Sequence, residues 1–333
     1  MSRVTVLYNE VLDADDPAAL DVLTQCKEIR QALGQLGHST DMVACTLDLA
    51  SARKELQRSA PDLVFNLVES LGGTDRLMAA TTLLLDSMQL PYTGSRTSAI
   101  LLSGDKLRAK FAMVASGIST PAWFDTRTAS WQPSQMDSAS FTDTVIVKSV
   151  YEHASLGMEN DAIAPFDGTS SLLQRLAERL QHTGHKHLAE QYIAGREFNL
   201  SLLEIDGQPR VLAHAEIDFR DLPAGLPHIV GHRAKWLEDS IEYKLTPRRF
   251  DFTVADQALI AELSELAIKC WQRFEMNGYA RVDFRVDQLG RPYVLEVNAN
   301  PCLSQDAGFV AAASESGIEH TELIRTIIAA ALC

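Results

Sequence analysis

The chain has 333 residues, 46% hydrophobic and 22% charged, with a formal net charge of −14, the make-up of a globular protein with room for two or three domains. So acidic a balance argues against a nucleic-acid partner, because phosphate backbones are bound by basic surfaces, and it leaves anionic ligands to local lysines and arginines. Five scattered cysteines without CxxC spacing indicate neither a disulfide framework nor a zinc site and fit a reducing cytoplasm, and no stretch approaches the about 20 apolar residues of a membrane span or the pattern of a secretory leader.

Val4 to Tyr8 predicts a buried strand, followed by a helix-period segment from Asp21 to Leu36 that Gly37 closes. Asp62 to Val68 (DLVFNLV) predicts a second buried strand, and Leu77 to Met88 a helix that stops before Gln89-Leu90-Pro91. Strand, helix, strand, helix is the order of a parallel α/β unit. Gly72-Gly73-Thr74 lies between strand and helix, where open α/β sheets take ligands, although a plain connector has the same composition.

Ser103 to Ser116 (SGDKLRAKFAMVAS) predicts a helix ended by Gly117. Its Lys106 lies in the first turn, where the helix dipole gives a cation no stabilisation; such a lysine either reaches out to a phosphate or is simply exposed. Thr126 to Ser140 reads as a loop or small excursion. Val145 to Val147 predicts a strand ending in Lys148, and Glu152 to Gly157 a small-residue turn whose N–H groups can approach an anion, or a hairpin tip. His182, His185 and His187 fit no helical metal pair and read as a polar loop.

Leu188 to Leu203 (LAEQYIAGREFNLSLL) predicts two strands joined at Ala194-Gly195-Arg196. Glu190 and Glu197 end apolar runs there, where a carboxylate can accept hydrogen bonds from an exocyclic amine or ribose hydroxyls and can equally be a cap or edge residue. Leu222 to Glu242, broken by Pro223, Gly225, Pro227 and Gly231, predicts a long loop of the kind that closes over sites, with Arg233 and Lys235 inside it and Lys244 just beyond as cations. Ala255 to Phe274 has the spacing of an amphipathic scaffold helix.

Gly278 to Leu303 is the most informative stretch. Arg281, Asp283, Arg285 and Asp287 alternate with Ala280, Val282, Phe284 and Val286; after a turn at Gln288 to Pro292, a second strand puts Val294, Glu296 and Asn298 on one face. Paired as a hairpin with those faces together, the strands gather a cation, two carboxylates and a carboxamide, hard oxygen ligands beside an arginine that suit Mg²⁺ holding a polyphosphate. A hairpin whose charges face water shows the same alternation.

Taken in order, FNLVESLGGTDRL, PYTGS ahead of the DKLRAK helix, VIVKSVYEHASLGM, AEQYIAGREF, RAKW and, above all, GYARVDFRVDQLGRPYVLEVNANP resemble the ATP-grasp superfamily and, within it, the D-alanine:D-alanine ligases, over nearly the whole length. The resemblance implies an α/β fold, α+β in its C-terminal half. An N-terminal parallel α/β domain (1–102) precedes a central ATP-grasp subdomain (103–187) and a C-terminal subdomain (188–333) with the metal and catalytic site, the last two clamping ATP between antiparallel sheets. It implies that Lys106 and Lys148 bind the nucleotide phosphates, with Ser155 in the covering loop; that Glu190 and the backbone of Gln191, Tyr192 and Ile193 read adenine, and Glu197 the ribose; and that Asp283, Glu296 and Asn298 hold two Mg²⁺ ions, with Mn²⁺ as the alternative. Arg281 would stabilise the acyl-phosphate and the tetrahedral intermediate, and Lys235 would touch the γ-phosphate when the lid shuts. The implied activity is ATP-dependent carboxylate–amine ligation of small amino-acid-like substrates, in an enzyme that pairs through its amino-terminal domain as a homodimer. Strict D-alanine ligation and a nucleotide-binding protein without catalysis are the alternatives.

The departures from the family pattern fall on the substrate side. Glu10 or an aspartate stands in for the family's ammonium-binding loop, Glu69-Ser70 for a histidine-glycine pair, Ala154-Ser155 for two serines, Trp236 for a tyrosine and Cys302 for a glycine of the oxyanion hole, while the serine that binds the second carboxylate falls near Asp306-Ala307. A pocket that loses its hydrogen-bonding groups changes its substrate.

Overall fold

A computed structural model describes residues 1–13, 17–132, 144–152, 158 and 160–332. Three sheets organise it. The first is parallel, with Arg3–Asn9 (β1) between Ser39–Cys45 (β2) and Leu63–Leu67 (β3). Pro17–Gln35 (α1) packs Val22, Cys26, Ile29 and Leu33 against Val4, Val6 and Phe65. Leu49–Ser59 (α2) and Ala79–Ser87 (α3) cover the other face around Leu7 and Val64. The pattern gives no hint of β2 and α2: β2 is an edge strand with only Val43 and Cys45 buried, so it lacks a continuous apolar run.

The helix expected from Ser103 to Ser116 is present but begins three residues later, behind a separate helix that the pattern does not predict. Thr97–Ser103 (α4) ends at Gly104, and Lys106–Ala115 (α5) starts afresh with Asp105 as its N-cap, accepting from the Leu107 and Arg108 amides at 3.0 and 3.1 Å.

The second sheet is antiparallel, in the order β5-β4-β8-β6-β7, from Trp123–Asp125 (β4), Ser130–Gln132 (β5), Thr144–Ser149 (β6), Ile163–Pro165 (β7) and His187–Gln191 (β8). Thr169–Thr183 (α6) covers it with Leu172 and Leu176. The third sheet, also antiparallel, runs β12-β11-β9-β13-β14 from Gly195–Ile205 (β9), Ala215–Ile217 (β11), Arg248–Arg249 (β12), Tyr279–Asp287 (β13) and Pro292–Asn298 (β14), with Gln208–Val211 (β10) paired to β9. The expected loop from Leu222 to Glu242 contains a short helix, His232–Trp236 (α7), and a second one, Ile241–Lys244 (α8), begins at its end. Behind the third sheet, Gln257–Phe274 (α9) buries Leu263, Ala267, Cys270 and Phe274 against Phe198, Val282, Phe284 and Val297, the scaffold role its spacing predicts. Gly308–Glu315 (α10) and His320–Leu332 (α11) return to the first sheet, where Phe309, Leu323 and Ile327 share one core with Val22 and Ile29. The two ends of the chain thereby bring α1 and the loop after β14 to the same end of the molecule.

β13 and β14 form the expected hairpin, with Arg281 opposite Asn298 and Asp283 opposite Glu296. One expectation fails. The register shifts after Asp283, so that Phe284 pairs with Val294 and Leu295 is left over as a bulge. The bulge reverses the alternation: Val294 is fully buried with Val297, and Leu295 turns to the cavity.

Candidate active site

A cavity of about 1040 Å³ is walled by the second and third sheets and by loops of the first. Lys106, Lys148, Glu190, Gln191, Tyr192, Ile193, Glu197, Lys235, Arg281, Asp283, Glu296 and Asn298 all line it. Ser155, with the rest of its turn from 153 to 157, lies outside the described residues.

The polar face of the hairpin forms one wall. Arg281 grips Asp283 with two bonds, Nε to Oδ1 at 2.7 Å and Nη2 to Oδ2 at 2.8 Å. The Asn298 amide nitrogen stands 3.3 Å from Asp283 Oδ2 and 3.4 Å from Glu296 Oε1. Burial works against the Arg281 charge, but Asp283 and Glu296 more than offset it and hold the guanidinium as a cation. Lys106 is no ordinary exposed lysine: it is 7% exposed, donates to the Glu152 carbonyl at 2.7 Å and lies 3.7 Å from Glu296. Asp283, Glu296 and, with its amide turned, Asn298 supply hard oxygens. Among the described residues no group of three His, Cys, Asp or Glu could enclose an ion. The donor set therefore fits an ion that keeps water and takes phosphate oxygens, as Mg²⁺ does.

Deeper in, Glu190 lies between two lysines. Lys110 Nζ is 2.8 Å from Oε2, and Lys148 pairs with Oε1. Lys110 also reaches Thr120 Oγ1 at 2.9 Å and the Pro121 carbonyl at 3.0 Å. Burial lowers its pKa to about 8, against the pull of Glu190; burial pushes the Glu190 carboxyl up, and Lys110 with Lys148 bring it back below the usual range. Each oxygen of this carboxylate is thus engaged by a lysine. The Gln191 and Tyr192 amides are also engaged, with the Ala122 carbonyl at 2.8 Å and the Thr144 carbonyl at 3.0 Å. Sequence reading missed Lys110. Its signal is a lysine four residues after Lys106 on the buried side of α5, beside Ala109 and Met113.

Glu197 is held by Arg285 at 2.8 Å, its cross-strand neighbour on β13. Arg285 also donates to the Gly195 and His228 carbonyls, and its guanidinium lies 5.6 Å from the Tyr192 ring centroid. Burial raises the Glu197 carboxyl, and Arg285 opposes the shift. Lys235, on α7, has no ion-pair partner within 4 Å among the described residues; burial, followed by Arg281, lowers its pKa.

Glu152 ties the first sheet to the second. It accepts from Thr74 Oγ1 at 2.7 Å and the Asp75 amide at 3.0 Å, and meets His185 Nδ1 at 3.2 Å. The Gly72-Gly73-Thr74 segment thus docks on the loop after Lys148, with both glycines at positive φ (+59° and +77°). The three histidines do not form the expected polar loop: His182 lies in the last turn of α6, His187 opens β8, and His187 Nδ1 contacts the His185 carbonyl at 2.8 Å.

At the far end, α1 meets the loop after β14. Gln25 Nε2 donates to Asp21 at 3.0 Å and to Glu69 at 3.1 Å, and Gln25 Oε1 accepts from the Leu303 amide at 3.0 Å. Asp21 accepts from Ser304 Oγ at 2.8 Å and from Cys302 Sγ at 3.1 Å. Burial, then Glu69 and Asp21, push the Cys302 thiol well above its ordinary pKa, so it is no thiolate nucleophile. Burial also raises Glu69 to about 7.

Residues 113–329 match the family profile described as "D-ala D-ala ligase C-terminus". The chain belongs to the D-alanine–D-alanine ligase family. Two relatives named D-alanine–D-alanine ligase are each 31% identical: one from Saccharophagus degradans, over 91% of this chain and 86% of the relative, and one from Gloeobacter violaceus, over 98% of both. The fold matches the D-alanine–D-alanine ligase of Bacillus anthracis complexed with ATP, with a TM-score of 0.71 at 20% identity over 100% of this chain and 98% of that one. It is the ATP-grasp fold that the motifs predict, and the family is one of ligases that form C–N bonds. Among the described residues no helix is long and apolar enough to cross a membrane.

Proposed function

We propose that this ligase joins a carboxylate to an amine, on small amino-acid-like substrates, through an acyl-phosphate made from ATP. The observation that carries this reading is the single cavity wall bearing Arg281, Asp283, Glu296 and Asn298, with Lys106, Lys148 and Lys235 lining the same space. In the first step a carboxylate oxygen of one substrate attacks the γ-phosphorus, and the bond to the β–γ bridging oxygen breaks to release ADP. In the second the amine of the other substrate attacks the acyl carbon, the tetrahedral intermediate expels phosphate, and the amine gives up its proton.

Lys106 and Lys148 hold the phosphates, and Lys235, carried on the loop that closes the cavity, meets the transferring group; in water-poor surroundings such cations neutralise the developing charge. Glu190 acts through its lysines, keeping Lys148 aimed. The chain from Gln191 to Ile193 walls the adenine, and Glu197 takes the ribose hydroxyls. Asp283, Glu296 and Asn298 would hold Mg²⁺ ions, which would neutralise phosphate charge. Arg281 steadies the acyl oxygen as charge builds on it. The division into units 1–102, 103–187 and 188–333, a cytoplasmic setting and a homodimer belong to the same proposal.

Strict D-alanine ligation is the second reading, favoured by the names of the relatives. Phosphate release with ATP and Mg²⁺, from D-alanine alone and then from panels of D- and L-amino acids, separates the two. We expect release with pairs other than D-alanine; robust D-alanyl-D-alanine formation with no other productive pair overturns that preference, and no release with any pair overturns the ligase reading.

A further inference from the structure

Neighbouring arginines on β12 are used differently. Arg249 Nε is ion-paired to Glu216 at 2.9 Å, its cross-strand partner on β11. Arg248 lines the cavity, its Nη1 donates to the Asp306 carbonyl at 3.1 Å, and no described carboxylate lies within 4 Å of its guanidinium. Gly308 makes room for it: a Cβ at that position would stand 3.1 Å from Arg248 Nε. Arg281 lies within electrostatic reach, and burial, followed by that like charge, works against the Arg248 cation.

This corner carries two guanidiniums: Arg281 is already gripped by Asp283, whereas Arg248 is hydrogen-bonded only to a carbonyl and is attracted by the Asp306 carboxylate from beyond ion-pair distance. Elsewhere the same cavity is lined by Glu10, Asp21 and Glu69 with no arginine among them, whereas the Arg248 corner has two guanidiniums against Asp283 and Asp306. A cavity with separated charge orients zwitterions, ammonium toward the acids and carboxylate toward the arginines. The corner also adjoins Ala307, which stands where the family pattern has a carboxylate-binding serine.

We propose that Arg248 is a specificity-determining residue that binds a carboxylate on the amine-donating substrate, supplying by charge what the absent hydroxyl cannot. The proposal rests on the ligase reading of this cavity. It commits the second substrate to being an amino acid and excludes the corresponding amide or simple amine, because a guanidinium left without an anion loses its charge-assisted bonds.

The test offers the full-length enzyme, with ATP, Mg²⁺ and a fixed carboxyl donor, matched amine donors: glycine against glycinamide, D-alanine against D-alaninamide, and L-alanine against L-alaninamide. We expect the wild type to prefer the acid. Arg248→Ala should raise the amine donor's KM about 10- to 100-fold, bring the acid-to-amide ratio close to one and leave the KM for ATP unchanged, while Arg248→Lys keeps part of the preference. An unchanged ratio in Arg248→Ala overturns the proposal. A readout without turnover is phenylglyoxal labelling of Arg248 in the wild type, followed by mass spectrometry: the amino acids should slow it and the amides should not, and equal labelling rates overturn the proposal. Protection of Arg248 without phosphate release from any pair would support the carboxylate subsite while sinking the ligase reading.

Discussion

Asp283 and Glu296 face each other directly across the β13–β14 hairpin, with the Asn298 amide nitrogen within 3.4 Å of both carboxylates. Like charges directly opposite on a sheet destabilise it unless a cation stands between them. Arg281 relieves Asp283, and Lys106 at 3.7 Å partly relieves Glu296. On the proposed reading, a divalent ion arriving with the nucleotide would relieve the repulsion that remains between the two carboxylates.

Glu296→Gln should therefore act in two directions. Turnover should fall about 10²- to 10³-fold, the usual loss when one electrostatic partner of a transition state is removed. In metal-free buffer the melting temperature should rise, since repulsion with Asp283 is lifted. Phosphate release and thermal melts with and without Mg²⁺ and an ATP analogue check both effects. A variant with normal turnover would remove the proposed metal site.

Glu190→Gln leaves Lys110 and Lys148 buried with no carboxylate between them. Removing one partner of a buried ion pair costs about 3–5 kcal/mol, so urea unfolding should show a loss of that size. The KM for ATP should rise as Lys148 loses its aim. A loss below about 1 kcal/mol would mean that water reaches the lysines.

Glu69 gives a pH signature. Its carboxyl is raised from 4.5 to about 7 by burial, so between those values the folded state holds a proton that the unfolded chain has lost, and stability falls as pH rises through that window. Glu69→Gln carries no such charge and can still accept from Gln25. Its melting temperature relative to wild type should climb from pH 4.5 to pH 8; a flat difference would show Glu69 to be well solvated.

The cavity wall that carries Arg281, Asp283, Glu296 and Asn298 was legible because these residues sit on one continuous hairpin, where period-2 alternation names both faces. Even there the bulge at Leu295 escaped, since a register slip is decided by the partner strand and leaves no local mark. Lys110 escaped because it sits on helix α5 while its partner Glu190 lies on β8, 80 residues further along the chain. The contacts at the substrate end run from Asp21 to Cys302 and Ser304, across most of the chain. Motif order conveyed the fold through a resemblance; residue spacing alone conveyed the α/β start, the scaffold helix α9 and the hairpin, but not how they assemble.

Gly195 opens β9 at φ +149°, and a Cβ there would lie 2.0 Å from the Val286 carbonyl oxygen. Because the obstacle is backbone, nothing can rotate aside. Gly195→Ala should separate the β9–β13 edge that carries Glu197 and Arg285 and cost about 1–3 kcal/mol or more, read as a lower melting temperature together with a raised KM for ATP. Wild-type values in both would show that the strand end can shift freely.

The central claim, that a carboxylate is activated by phosphorylation and then captured by an amine, is tested most directly with a donor amino acid labelled with ¹⁸O in its carboxylate. Acyl-phosphate chemistry predicts that ADP accumulates and that one ¹⁸O atom passes to each inorganic phosphate released, dependent on both substrates and lost in Glu296→Gln. Release of AMP and pyrophosphate, or phosphate free of label, would contradict it.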